Sequence, residues 1–196
     1  VLESVKIDNC TAIKTGAFTR CGALKSLSIA NCNTIEDRAF DYSTSLTSFY
    51  LKGCESIGSG ILNGSSVESI ELENCSTIGD YAFQNCHSLK TLTLTDCGTI
   101  GNYSFGGCEN LTDVTITNLD TIGEDSFAIH DEGVYSSLTN LTLHNVRYIS
   151  SGAFENCTKL TSVDLDGCEY LGGNAFSGCT NLTDIVVPDY IRLGYS

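Results

Sequence analysis

Along the stretch from Leu89, apolar Leu92 and Leu94 alternate with polar Thr91, Thr93 and Thr95. A period of two predicts a short strand with one side buried and the other solvated. A different spacing occurs where Ala82-Phe83-x-x-Cys86 sets Phe83 and Cys86 three residues apart. That spacing puts both on one face of one or two turns of α- or 3₁₀-helix. Between the two patterns stands an Asn, Asp or Gly, as at Asn9, Asn31, Gly53, Asn74, Asp96, Asn118, Asn145 and Gly167. These residues accept tight or left-handed backbone, so the strand is expected to end there.

The two-part unit fills the chain. VESIELENCSTIGDYAFQNCHS from Val67 and LKTLTLTDCGTIGNYSFGGCEN from Leu89 align without a gap. In that frame, units begin at Leu2, Leu24, Leu46, Val67, Leu89, Leu111, Leu138 and Leu160, with a partial one at Leu182. Most are 22 residues long; the third has 21 and the sixth 27. An Ile or Leu column (13, 35, 57, 78, 100, 122, 149, 171, 193) is followed by Thr15, Asp37, Ser59, Asp80, Asn102, Glu124, Ser151 and Gly173. Most of this second column has helix-capping chemistry. The recurring Ile-Gly pairs read as turn glycines rather than phosphate cradles.

One such unit cannot bury its own apolar face. Stacking the units does, in a parallel sheet with coils about 4.8 Å apart and roughly 40 Å long in all. Both ends would leave open strand edges. The pattern also starts and stops in mid-unit, so the expectation is a segment of a longer protein. No basic flank and apolar block of the signal-peptide kind occurs in Val1–Cys10.

Composition narrows the function classes. Ten Lys and Arg against 24 Asp and Glu give a net charge of −14. That opposes nucleic-acid binding, which needs a basic face, and simple attraction to anionic lipid. No apolar run approaches the ~18–20 residues of a membrane-spanning helix. The 11 cysteines fall into two columns. One follows the strand (Cys10, Cys32, Cys54, Cys75, Cys97, Cys168), where Leu119, Val146 and Tyr190 also stand. The other is Cys21, Cys86, Cys108, Cys157 and Cys179, where Ser43 also stands. Slots shared with Leu and Val are apolar, so ladders of buried free thiols are expected. A disulfide framework must contend with the odd count, and a zinc site lacks its C-x₂-C clusters.

IGDYAFQNCHSL, IGNYSFGGCENL, ISSGAFENCTKL and LGGNAFSGCTNL, with L-x-x-L-x-L before them, resemble the BspA-like (Treponema pallidum type) leucine-rich repeats. The resemblance covers essentially the whole chain. One departure is that the strand runs into Asn-Cys where the family commonly has Ile-Pro; only Val187-Pro188 has the usual form. The fold implied is a leucine-rich-repeat solenoid, an α/β repeat over 1–196 as a single domain. It has a parallel β-sheet on one face, short helical or 3₁₀ turns on the other, and about eight full repeats plus one partial. The function implied is a non-enzymatic extracellular or cell-surface binding module. Its partner would be a protein or glycan of a host or neighbouring cell. The alternative is a structural spacer presenting another domain.

Candidate contacts follow from exposure. Tyr50, Lys52, Glu71, Glu73 and His144 fall on the outward strand face, beside Thr rows that suit a solvated strand. The sixth repeat carries an insertion over 128–136. Ile129, Val134 and Tyr135 are contact candidates there, and His130, Asp131 and Glu132 a weak cation site. A tolerated surface bulge accounts for the insertion equally well. Cys86-His87 carries no catalytic expectation, because an inward column and the following turn point apart. No catalytic residue, cofactor or bound metal is expected.

Overall fold

The computed structural model describes residues 2–131 and 133–194. Its coils stack in parallel register: Thr91 pairs with Asp113, Leu92 with Val114 and Leu94 with Ile116. The inward residues Leu27, Ile29, Leu51, Leu72, Leu92, Leu94 and Ile116 are buried in one continuous core. Four coils carry unbroken ten-residue strands (Ser4–Ile13, Ser26–Ile35, Asp113–Ile122, Asn140–Ile149). In the third to fifth coils the strand splits into pairs such as Ser48–Lys52 and Ser56–Ile57. Ser162–Asp164 pairs with Asp184–Val186 in a separate two-stranded sheet, whereas Tyr148, Tyr170 and Arg192 stay in register behind the bend.

The bend lies at the Asn column. Asn9, Asn31, Gly53, Asn74, Asp96, Asn118, Asn145 and Gly167 all have φ between 53° and 85°. The strand therefore turns there, and in four coils it continues rather than ending. Asn side chains also bridge coils: Asn118 Nδ2 donates to Asp96 Oδ1 at 2.7 Å, and Asn145 Nδ2 to Asn118 Oδ1 at 2.9 Å.

The expected helical turns do not form; among the described residues there is no helix. Every full coil but the sixth instead takes left-handed backbone at two positions four residues apart, as at Tyr81 (φ 58°) and Asn85 (φ 57°); in the sixth Asp125 is left-handed and Ile129 is not. A right-handed helix cannot pass through such residues. Their peptide planes turn so that alternate amides point along the stack. Phe83 N donates to Ser104 O, Phe105 N to Ser126 O, Phe127 N to Ala153 O and Phe154 N to Ala175 O, all at 2.8 Å. The capping column acts in the same direction. Asp80 Oδ1 accepts from Asn102 N at 2.8 Å and Asn102 Oδ1 from Glu124 N at 2.9 Å, so each binds the next coil.

The Ile-Gly glycines are not left-handed turn residues either. A Cβ at Gly101 would sit 2.7 Å from Asp80 N and 2.8 Å from Gly79 C. Glycine is required there because neighbouring backbones touch.

Seven phenylalanines run through the turn side as a stack, Phe18 and Phe40 before the third coil and five after it. Phe83, Phe105, Phe127, Phe154 and Phe176 follow one another with centroids 5.0–5.3 Å apart and planes within 12°. In the third coil Leu62 occupies this column. The gap is bridged from the strand side by Phe49, 6.5 Å from Phe40 and 5.8 Å from Phe83.

All 11 cysteines are free, eight of them buried. In the turn-side column the thiols donate to the preceding coil: Cys108 Sγ reaches Phe83 O at 3.3 Å and Cys179 Sγ reaches Phe154 O at 3.2 Å. Ser43 occupies the same column, buried, and its Oγ has no partner.

Phe105→Ala should cost about 3–5 kcal/mol in chemical denaturation as a large-to-small core change. A loss under about 1 kcal/mol is incompatible with a load on the ring stack. Ser43→Ala should be neutral or stabilise by up to ~1 kcal/mol, because it removes an unsatisfied buried hydroxyl. Thiol reactivity checks the ladders. Burial pushes Cys54 up to about 11, so the reactive thiolate is scarce. Brief alkylation of the native protein should modify chiefly Cys10, Cys21 and Cys179, the three part-exposed thiols, and denaturation without reductant should expose all 11. Broad protection after denaturation contradicts free thiols.

Candidate binding surfaces

The strand side presents side chains in rows fixed by register. One row runs Lys6, Ser28, Tyr50, Glu71, Thr93, Thr115 and Thr142. The next includes Lys52, Glu73, Thr95, Thr117 and His144. Alternation forces these residues outward, because Leu51, Leu72, Leu94 and Ile116 between them point into the core. Tyr50, Lys52, Glu71 and Glu73 therefore share one patch across two adjacent coils, while His144 lies three coils beyond Glu73. Lys52 Nζ meets Glu73 Oε2 at 2.6 Å, and that contact raises the lysine's pKa. A shallow depression of about 390 Å³ crosses this half of the face, with Tyr50 and Glu71 in its lining.

The insertion behaves differently from the expectation at its two ends. Ala128 and Ile129 are buried, with 1% and 3% exposure, so Ile129 is a core residue and not a contact. Its amide still donates to Glu155 O, extending the turn-side ladder. Ser136 is also buried and holds the amide of Leu138 at 3.2 Å. The part that protrudes includes His130, Asp131, Val134 and Tyr135, the last 69% exposed. Glu132 lies outside the described residues.

The cation grouping expected within the loop is also redrawn. His130 turns to Asp125, with Nε2 3.7 Å from Oδ1, and lies tilted beside the Tyr103 ring, 6.3 Å between centroids. Asp125, His130 and Glu155 bring one ligand atom each within 4.8 Å of one another. Asp125 and Glu155 lie on neighbouring coils and are brought together by stacking, whereas Asp131 adjoins His130 only in sequence. Cys86 and His87 do point apart. Cys86 is fully buried, and the exposed His87 puts Nδ1 2.7 Å from Glu109 Oε2 on the next coil.

This arrangement of coils matches known proteins. The profile of the BspA type Leucine rich repeat region matches in 6 copies, over residues 11–132 and 77–194. The chain belongs to the BspA-type leucine-rich repeat family. Similar folds occur in the T. pallidum leucine-rich repeat protein TpLRR (24% identity, TM-score 0.55, 98% of this chain and 73% of that one). A leucine-rich repeat protein from Eubacterium ventriosum is also similar (20% identity, TM-score 0.70, 97% and 61%). The pneumococcal vaccine antigen PcpA is a third (18% identity, TM-score 0.53, 97% and 62%). The chain thus spans between 61% and 73% of these chains' lengths. At such identities the likeness establishes the fold. No curated protein sequence matches the chain significantly.

In these BspA-type coils the core columns and the surface columns are separate sets of residues. Among the described residues no helix is long and apolar enough to cross a membrane. The insertion separates in the same way. Replacing residues 131–134 by two glycines should change stability by under about 1 kcal/mol, because surface loops tolerate length changes. Ile129→Ala should cost about 2–5 kcal/mol. Urea denaturation of both variants checks this, and equal losses would contradict the division of the insertion into core ends and a protruding middle.

Proposed function

We propose that this BspA-type segment is a non-enzymatic binding module, displayed outside the cell, that recognises a surface protein or glycan of a host or neighbouring cell through its strand face. The observation that carries this reading is the registered patch of Tyr50, Lys52, Glu71 and Glu73 on adjacent strands. It joins one aromatic anchor with charges of both signs on a backbone fixed by ladder hydrogen bonds. A rigid surface of this kind loses little conformational freedom on binding. Tyr is also among the residues that most often dominate interface energetics. His144, and His130, Asp131, Glu132 and Tyr135 from the insertion, are proposed as outer contacts.

The test is a binding screen of the purified segment against matrix proteins, cell-surface proteins and a glycan panel at low and high salt. Two salt levels are needed because a chain of net charge −14 attracts cations indiscriminately. A salt-resistant partner should be found, and Tyr50→Ala should weaken it by about tenfold or more, or ~1.4 kcal/mol. A blank across the panel would favour the spacer role. Binding untouched by Tyr50→Ala, Lys52→Ala and Glu71→Ala together would move the contact elsewhere.

A further inference from the structure

The turn side holds a cleft on the opposite side of the coils from the strand face. In the third coil both left-handed positions are glycine, Gly60 (φ 60°) and Gly64 (φ 67°). The coil before it carries Arg38 and Tyr42 at those positions, and the coil after it Tyr81 and Asn85. A Cβ at Gly64 would meet nothing within 4 Å, and at Gly60 the nearest atom is Arg38 Cγ at 3.9 Å. At Gly60 the missing side chain leaves a solvent-open cleft of about 560 Å³, with Asn63 on its edge.

Its dimensions follow from the stack. One coil step separates the Tyr81 and Tyr103 rings by 5.3 Å, with planes 5° apart. Skipping one step at about 4.8 Å each therefore leaves roughly 10 Å between Arg38 and Tyr81, room for a single ring. Tyr81 has one face against Tyr103, so its other face looks into the cleft. Tyr42 on the far wall is backed by the Arg20 guanidinium, 5.9 Å from its ring centroid. Both walls are thus braced from behind.

A second observation converges on the same place. Among the described residues, five with left-handed backbone are neither Gly, Asn nor Asp: Arg20, Arg38, Tyr42, Tyr81 and Tyr103. Bulky side chains adopt that backbone only under constraint, and such strain collects at functional sites. All five line this cleft or brace its walls.

The chemistry selects the ligand. The cleft has aromatic wall surface and a polar edge of Asp37, Asp41, Ser59 and Asn63. A phenylalanine, tyrosine or tryptophan side chain of a peptide offers such an edge one polar atom at most. A pyranose offers hydroxyls around its whole rim, and its C–H faces suit the negative faces of tyrosine rings. Two carboxylates against one guanidinium disfavour acidic sugars. We propose that the cleft at Gly60 binds a neutral pyranose, an uncharged hexose or N-acetylhexosamine unit of a glycan, between the Tyr81 ring and the Arg38–Tyr42 wall.

The experiment is saturation-transfer NMR of the whole chain with neutral methyl pyranosides and their short oligomers, alongside tyrosine- and tryptophan-containing peptides. Tyrosine fluorescence supplies affinities, since the chain has nine Tyr and no Trp. At least one sugar should receive saturation. Tyr81→Ala should weaken it by about tenfold or more, and Gly60→Tyr should abolish it by filling the cleft. Gly60→Tyr is expected to fold, because Tyr81 and Tyr103 hold the same column at φ 58° and 56°. Asn63→Tyr, at an exposed lining position, is a second blocking variant, and circular dichroism verifies that both fold. No transfer to any sugar, transfer that survives both blocking variants, or blockable binding of the aromatic peptides alone would each overturn the proposal. The blocking variants leave Tyr50, Lys52 and Glu71 in place, so this outcome is separable from that of the strand-face reading.

Discussion

Parallel ladder hydrogen bonds fix the step between coils near about 4.8 Å, and every column of side chains must be compatible with it. Phenylalanine rings meet the requirement by offset stacking at 5.0–5.3 Å, close to the step itself. Backbones that approach more closely than a methyl group permits must be glycine, as at Gly101. Thiols fit slots that need a small apolar group and still reach a carbonyl of the preceding coil. The turn side obeys the same rule, and for that reason it is no helix. A helix would satisfy its own amides and leave nothing for the next coil; the left-handed residues hand those amides on.

Departures from the repeat are absorbed where they occur. The third coil is one residue short, carries Leu62 in the ring column and recovers the ring from Phe49 on the opposite side. The sixth coil is five residues longer than the usual 22, yet Ile129 and Ser136 are both buried, so only the loop between them bulges. Arg147 then ties the sixth, seventh and eighth coils together. Its guanidinium lies 2.7 Å from Asp120 and 2.9 Å from Glu169. At that exposure the contacts add little stability singly.

The strand half of each coil was legible in the sequence, because a period of two with Leu inside has only one burial solution. The Asn column was legible too, since Asn, Asp and Gly share tolerance of positive φ. The turn half was not. Ala-Phe-x-x-Cys spacing is compatible with a helix, and nothing in the residue types at Arg38, Tyr81 or Tyr103 announces left-handed backbone. That conformation is imposed by the neighbouring coils and is a tertiary effect. The same reason hid the cleft, because Gly60 acquires meaning only once its column is known to hold Arg and Tyr elsewhere. Glu155, a full coil further along the chain, was brought beside Asp125 and His130 by stacking, while Asp131, next to His130 in sequence, was not.

A regular step also decides where specificity can reside. From the fifth to the seventh coil the outward row reads Thr93, Thr115, Thr142, so a ligand displaced by one coil meets the same chemistry. From the first to the fourth it reads Lys6, Ser28, Tyr50, Glu71, where each step changes charge or size. Specificity is a difference between correct and shifted binding, and only the second kind of row penalises a shift. The same holds on the turn side, where the glycine pair occurs in the third coil between bulky neighbours. Both the strand-face patch and the cleft therefore draw on the coils around the third, where the repeat is least regular and a position along the stack has an identity of its own.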